Sequence, residues 1–149
     1  MRPTTLCFPV AADGRLLLGC KKRGFGGKLE PGESFRECAV RELYEEVSLL
    51  AEPEALEYMG VLDFHFTAAP AADHITYIYF VKTWTGNATE SEEMEPRFFA
   101  VDQLPYDRMW QSDRVWLPRL IKGERIKGRV IFAPDGETVQ SLEIKEDRQ

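Results

Sequence analysis

The sequence predicts an α+β fold, a mixed β-sheet with helices flanking it. Three observations predict it. Runs rich in aromatic and β-branched residues recur along the 149 residues. Two helical segments stand apart from each other among those runs. Turn signals such as Asp13-Gly14 and Pro134-Asp135-Gly136 join neighbouring runs as hairpins. Several hairpins with two separated helices argue for helices covering the faces of one sheet. The length is that of one ordinary domain with a sizeable core, so residues 1–149 are expected to form a single domain.

The elements follow in order. Residues 6–11 read as a strand, and Asp13-Gly14 returns the chain through a second strand over 15–21. Residues 21–28, Lys-Lys-Arg-Gly-Phe-Gly-Gly-Lys, form a basic, glycine-rich loop. Ser34 and Glu37 have the spacing of a capping box, and apolar periodicity carries a helix on to about Val47. Residues 56–66 and 74–84 read as two long strands. The acidic stretch 90–95 leads to a short strand over 97–101. A second helix is expected over 113–121, with Pro118 in its middle as the opposing signal. Residues 126–132 and 139–144 close the chain as a hairpin.

Composition excludes several function classes. Hydrophobic residues make up 44% and charged residues 30%, which is globular rather than disordered. No apolar run nears the roughly 18 residues of a membrane-spanning helix, and the N-terminus opens no long apolar stretch, so neither a membrane role nor a signal peptide is expected. Cys7, Cys20 and Cys38 are odd in number and lack metal-ligand spacing, which fits reduced thiols in the cytoplasm. Nineteen basic residues against 25 acidic ones leave a net charge of −6, which argues against a basic grip on nucleic acid. A small phosphorylated ligand remains compatible with that charge, through local cations or a carboxylate-held metal.

The informative segment is the helix. At about 100° per residue, Glu46 falls near +40° and Glu45 near −60° from Glu42, so three carboxylates share one face. Ala39, Leu43, Val47 and Leu50 fall on a neighbouring face expected to pack on the sheet. No Lys at i+4 neutralises Glu42 or Glu45. A solvated charged face is the plain reading of such a helix. The glycine-rich turn leading straight into it favours a second reading, a site for a hard divalent cation that bridges carboxylates to phosphate.

Gly27, five residues, Glu33, seven residues, then Arg41-Glu42-Leu43-Tyr44-Glu45-Glu46 resembles the Nudix box, G-x5-E-x7-R-E-U-x-E-E-x-G-U, over residues 27–49. Every fixed position matches except Ser48, which stands where the second glycine belongs. The resemblance implies an α/β/α sandwich around a mixed sheet. It also implies hydrolysis of a diphosphate linked to another group X, with Mg²⁺ or Mn²⁺ as cofactor. By the same resemblance Glu42, Glu45 and Glu46 are metal ligands, one of them helps deprotonate the attacking water, the carbonyl of Gly26 completes the metal site, and Arg41 with Glu33 holds the carboxylates in place.

Beyond the box the chain is similar to the oxidised-purine nucleoside triphosphatases of the MutT-like, 8-oxo-dGTPase type. Residues 17–26 resemble the stretch before the box in those enzymes. Residues 90–94 resemble a loop whose acid reaches the metal, which nominates Glu93. Residues 107–113 resemble the base-binding segment. The resemblance therefore implies a nucleotide bound by Lys21, Phe25, Gly27, Lys28, Trp110 and Asp113, with Trp110 against the purine and Asp113 accepting hydrogen bonds from its edge. Two departures bear on the substrate. The relatives carry an extra stretch before the box with an Asn that reads the base, and they carry an acid where this chain has Ser112. Three functions follow. The first is hydrolysis of an oxidised purine nucleoside triphosphate to the monophosphate and pyrophosphate, by a monomer or small homo-oligomer. The second is the same chemistry on a nucleotide sugar, a dinucleoside polyphosphate or an unmodified nucleoside triphosphate. The third is a nucleotide-binding module without catalysis.

Overall fold

In the computed structural model the described residues are 1–19, 24–88 and 96–147. They form strands β1 (Arg2–Pro9), β2 (Leu16–Leu18), β3 (Leu56–Phe66), β4 (His74–Val81), β5 (Arg97–Phe99), β6 (Ile126–Phe132) and β7 (Val139–Glu146). Helix α1 spans Phe35–Val47 and helix α2 Asp113–Ile121. The main sheet has the order β1-β4-β3-β6-β7, with β1/β4 and β3/β6 parallel and the other neighbours antiparallel. It is mixed, as expected.

The two faces of this sheet carry separate cores. Cys7, Leu56, Tyr79 and Val81 project to one face and bury Ala39, Leu43 and Val47 of α1. Phe8, Leu62, Ile78, Ile126 and Val130 project to the other and bury Trp116, Leu117 and Leu120 of α2. Alternation along a strand sends successive side chains to opposite faces, so β1, β3 and β4 serve both cores, whereas β6 and β7 contribute to the α2-side core alone. α1 begins as its sequence indicates: Ser34 accepts from the Glu37 amide, and the Glu37 carboxylate accepts from the Ser34 amide.

Several expectations change. The strand expected over 6–11 spans Arg2–Pro9, and the one expected over 97–101 stops at Phe99. The Asp13-Gly14 turn forms, with Gly14 at φ 89, but β2 does not run back along β1 as a hairpin strand. One bridge, Val10 to Leu16, links them, and β2 pairs with β5 instead. All three leucines of β2 are buried, Leu16 and Leu18 in the α2-side core and Leu17 in the α1-side core, so burial on both sides draws β2 off the sheet edge. Leu50, expected on the packing face of α1, is 51% exposed, and Leu49 is buried in its place. The helix has already ended: Ser48 takes φ 64 and turns the chain by left-handed backbone. The strand expected over 74–84 stops at Val81.

The free edge of β1 is occupied by the loop that leads into α1. Cys7 and Phe25 exchange backbone hydrogen bonds of 2.6 and 2.8 Å, and the Thr5 amide donates to the Gly27 carbonyl at 2.9 Å. A β-carbon on Gly26 would lie 1.8 Å from the Thr5 carbonyl oxygen, so only glycine permits this approach. Cys7 and Cys38 are free thiols packed under this contact. Complete burial pushes the Cys7 thiol up to about 12, and burial raises that of Cys38 as well, so both act as apolar packing groups.

Candidate functional site

Two polar regions meet at the loop over residues 25–28. The first lies on α1. Arg41 forks onto Glu33, with Nε 2.7 Å from Oε2 and Nη2 3.0 Å from Oε1. The same guanidinium reaches Glu42 Oε1 at 2.8 Å, Glu45 Oε2 at 3.3 Å and Glu30 Oε1 at 3.5 Å. Its Nη2 also donates to the Lys28 carbonyl at 3.1 Å. Hydrogen bonding from Arg41 holds the Glu33 carboxyl below its ordinary value, and the same pair raises Arg41. No Lys stands at i+4 of Glu42 or Glu45; Arg41, adjacent to one and four residues before the other, supplies the counter-charge.

Glu46 turns toward the loop and accepts from the Gly26 amide at 3.3 Å. Glu42 lies against Gly27, where a β-carbon would come within 2.6 Å of its Oε1. Glycine at 27 therefore leaves a cradle for that carboxylate. Among the described residues, no three Asp, Glu, His or Cys side chains converge tightly enough to hold a metal ion. The shared helical face alone does not gather the carboxylates: Arg41 draws Glu42 and Glu45 to one side while Glu46 faces the Gly26 amide. The donor chemistry still fits a hard cation. The oxygen donors Glu42 and Glu46 flank the same two glycines, and Glu45, 56% exposed at its side chain, lies one turn away.

The second region is a cavity of about 190 Å³ on the α2 face of the sheet. Its walls include Phe8, Phe64 and Trp116, with Trp110 and Asp113 from the segment leading into α2, and Gly27 and Lys28 at the end nearest α1. Trp110 is 38% exposed and stands edge-on to Phe66 and Phe132, with ring centres at 6.0 and 5.3 Å. It is therefore a cavity wall rather than a core aromatic. Asp113 is 8% exposed, and its charge together with burial raises the neighbouring Tyr106 hydroxyl, burial being the larger cause.

The structure thus brings Gly27, Lys28, Trp110 and Asp113 to one cavity, and places Glu33, Arg41, Glu42, Glu45 and Glu46 beside its end. Phe25, expected to bind substrate, is completely buried in the α1-side core, because the backbone pairing with Cys7 turns its ring inward. Ser112 is also fully buried, and its hydroxyl has no hydrogen-bond partner among the described residues, so this position packs beneath α2 and does not line the cavity. Lys21 and Glu93 lie outside the described residues. Sequence reasoning missed the strand contributions Thr4, Phe64, His74 and Thr76. The available signal was a polar residue at alternate positions of β4, His74 and Thr76, on a face that continues as Ile78 and Phe80.

Comparison with known proteins agrees with this geometry. Residues 1–120 match the NUDIX domain family. The chain is 36% identical over 145 residues to the oxidized purine nucleoside triphosphate hydrolase of Mus musculus, covering 92% of this chain and 90% of that one. It is 35% identical over 131 residues to the protein of the same name from Danio rerio, covering 83% and 82%. The crystal structure of a MutT protein from Bacillus halodurans superposes with a TM-score of 0.83 at 22% identity, over 97% of this chain and 98% of that one, which shows a shared fold. Nudix hydrolases generally need a divalent metal. The box residues, their meeting at Gly26 and Gly27, and these matches make the chain a member of the Nudix family.

Proposed function

We propose that this protein hydrolyses oxidised purine nucleoside triphosphates of the 8-oxo-dGTP type to the monophosphate and pyrophosphate, using Mg²⁺ or Mn²⁺. The observation that carries the reading is Gly27: the Glu42 carboxylate fills the space where its β-carbon would stand, and Gly27 also lines the cavity of Trp110 and Asp113. A purine in the cavity would send its phosphates past Gly27 toward the carboxylates of α1. In this reading Glu42, Glu45, Glu46 and the Gly26 carbonyl hold the metal, with Glu93 as a further donor. A bound divalent ion neutralises phosphate charge and acidifies water. Arg41 positions Glu42 and Glu45, and Glu33 fixes Arg41 by its two-pronged contact. Lys28, with Lys21, meets phosphate; Trp110 covers the base; Asp113 accepts from its N–H groups. The protein acts on small nucleotides rather than nucleic acid, as a single-domain monomer or small homo-oligomer in the cytoplasm.

A second reading, the same chemistry on an unmodified nucleotide or another X group, is favoured by one observation. The loop over residues 24–27 runs straight along β1 into the box, without the extra stretch that carries the base-reading Asn. A non-catalytic module is disfavoured, since every box acid is present. Chromatographic separation of nucleotide products from 8-oxo-dGTP, dGTP, a nucleotide sugar and a dinucleoside polyphosphate separates these readings, because a triphosphate yields a monophosphate with pyrophosphate, a nucleotide sugar a monophosphate with a sugar phosphate, and a dinucleoside polyphosphate two nucleotides. Fastest cleavage of 8-oxo-dGTP supports the first, fastest cleavage of any other supports the second, and cleavage of none overturns both.

A further inference from the structure

The α2-side cavity holds a short chain of hydroxyl groups whose proton direction is set by the backbone. Thr4 Oγ1 lies 3.0 Å from the Ile75 carbonyl oxygen and 2.9 Å from Thr76 Oγ1. A carbonyl can only accept, so the single Thr4 proton goes to Ile75. In the Thr4–Thr76 contact Thr4 must then accept, and Thr76 must donate. With its only proton committed, Thr76 can offer a ligand nothing but lone pairs. Thr76 is 5% exposed and lines the cavity, as does Thr4. His74, two residues earlier on the same face, has its Nδ1 2.9 Å from the Ala72 carbonyl oxygen, to which it must donate. Asp113 adds carboxylate oxygens, while the cations Arg2 and Lys28 are exposed at the mouth. Inside the cavity Thr76 and Asp113 thus offer acceptors, and the charged donors Arg2 and Lys28 are outside.

An acceptor-lined cavity distinguishes purines by their ring N–H groups. Guanine presents a lone pair at N7. Oxidation at C8 to the keto form places a hydrogen on N7, so one ring atom changes from acceptor to donor. An acceptor-only group facing that atom gains a hydrogen bond from the oxidised base and meets lone-pair repulsion from the normal one. We propose that Thr76, locked by Thr4 as an acceptor, is a specificity-determining residue that selects purines carrying the additional ring N–H. The proposal rests on the oxidised-purine reading above and assigns discrimination to β1 and β4, in a chain that lacks the Asn and the second acid of its relatives.

The test is kcat/KM for 8-oxo-dGTP and for dGTP with wild type, Thr76→Val, Thr76→Ser and Thr4→Val, each checked by a thermal melt. Thr76→Val keeps the shape and removes the acceptor, and should lower the oxidised-to-normal ratio by about tenfold, the worth of one buried hydrogen bond. Thr76→Ser should keep the ratio. Thr4→Val frees the Thr76 proton to serve as a donor to guanine N7 and should also lower the ratio, which gives a readout if Thr76→Val does not fold. A ratio unchanged in both Val variants overturns the role of Thr76 and leaves the oxidised-purine reading standing. A wild type that turns over neither nucleotide, or prefers dGTP, overturns both.

Discussion

The two sides of the β1 edge hold their polar groups differently. On the α1 side one guanidinium serves four carboxylates, Glu30, Glu33, Glu42 and Glu45, and the side chains of Glu30 and Glu45 are more than half exposed. On the α2 side the acceptors Thr76 and Asp113 are nearly covered and stand among aromatic rings. Charges near water rearrange at little energetic cost, because solvent replaces each lost partner. A covered acceptor has no such substitute, so a ligand that cannot donate to it forgoes a hydrogen bond that water does not replace. The first arrangement suits a cation and phosphates that come and go with each turnover. The second suits discrimination. In the proposed function, one substrate passing the loop over 25–28 would touch both.

The largest effect should come from breaking the α1 side. Glu46→Gln and Glu42→Gln should each reduce turnover by at least about 100-fold, since even groups that only orient metal ligands contribute 10–100-fold. Excess EDTA should do the same to wild type, and turnover that survives it would exclude a divalent metal. Stability should respond differently from what bare repulsion suggests. Glu42→Gln should not stabilise the protein, because Glu42 is paired with Arg41 at 2.8 Å. A melting temperature well above wild type would contradict the pairing.

Next comes the α2 side. Trp110→Ala should raise KM for every purine nucleotide by the equivalent of about 1–3 kcal/mol, the usual worth of an aromatic stacked on a base. Its melting temperature should fall far less than a core truncation requires, because Trp110 is 38% exposed. Asp113→Ala should lower the preference for the oxidised base with a smaller change in kcat. If both variants lose activity on all nucleotides in proportion to lost stability, the cavity is only structural.

These two regions were unequally legible in the sequence. The box acids, Arg41 and the capping box lie within the fourteen residues from Glu33 to Glu46, so spacing and helical period expose them at once. The cavity draws Thr4 from β1, Phe64 from β3, Thr76 from β4 and Asp113 from the start of α2, and no local pattern links positions that distant. Helix α2 was legible despite Pro118, because its apolar face, Trp116, Leu117 and Leu120, keeps helical spacing. Phe25 entered only through the resemblance of the stretch before the box, and its complete burial follows from the backbone pairing with Cys7, which no local pattern announces. The destination of β2 was equally hidden, since a turn signal says that the chain reverses but not which neighbour the next strand takes.

A smaller effect concerns pH. The Glu33 carboxyl is held below its ordinary value of 4.5 by Arg41, so the pair's contribution is complete above that value and is lost as pH falls through the lower folded-state value. Denaturant unfolding followed into the acid range should show a loss of stability that Glu33→Gln partly removes. An identical acid limb in the variant would remove this pair as a contributor. Smallest is Ser48→Gly. Left-handed backbone at φ 64 costs a non-glycine residue about 1 kcal/mol, so glycine should raise the melting temperature by about 2–4 °C with kcat unchanged. A drop would mean that the Ser48 side chain contributes more than its backbone costs.

Hydrolysis on α1 and discrimination in the α2-side cavity meet in one measurement: pyrophosphate release from 8-oxo-dGTP and from dGTP, with saturating divalent metal, by wild type and by Glu46→Gln. The expected result is pyrophosphate as product, a higher kcat/KM for 8-oxo-dGTP, and a Glu46→Gln enzyme that loses activity on both while keeping their ratio. Equal rates on the two nucleotides, orthophosphate as the product, or undiminished turnover by the variant would contradict it.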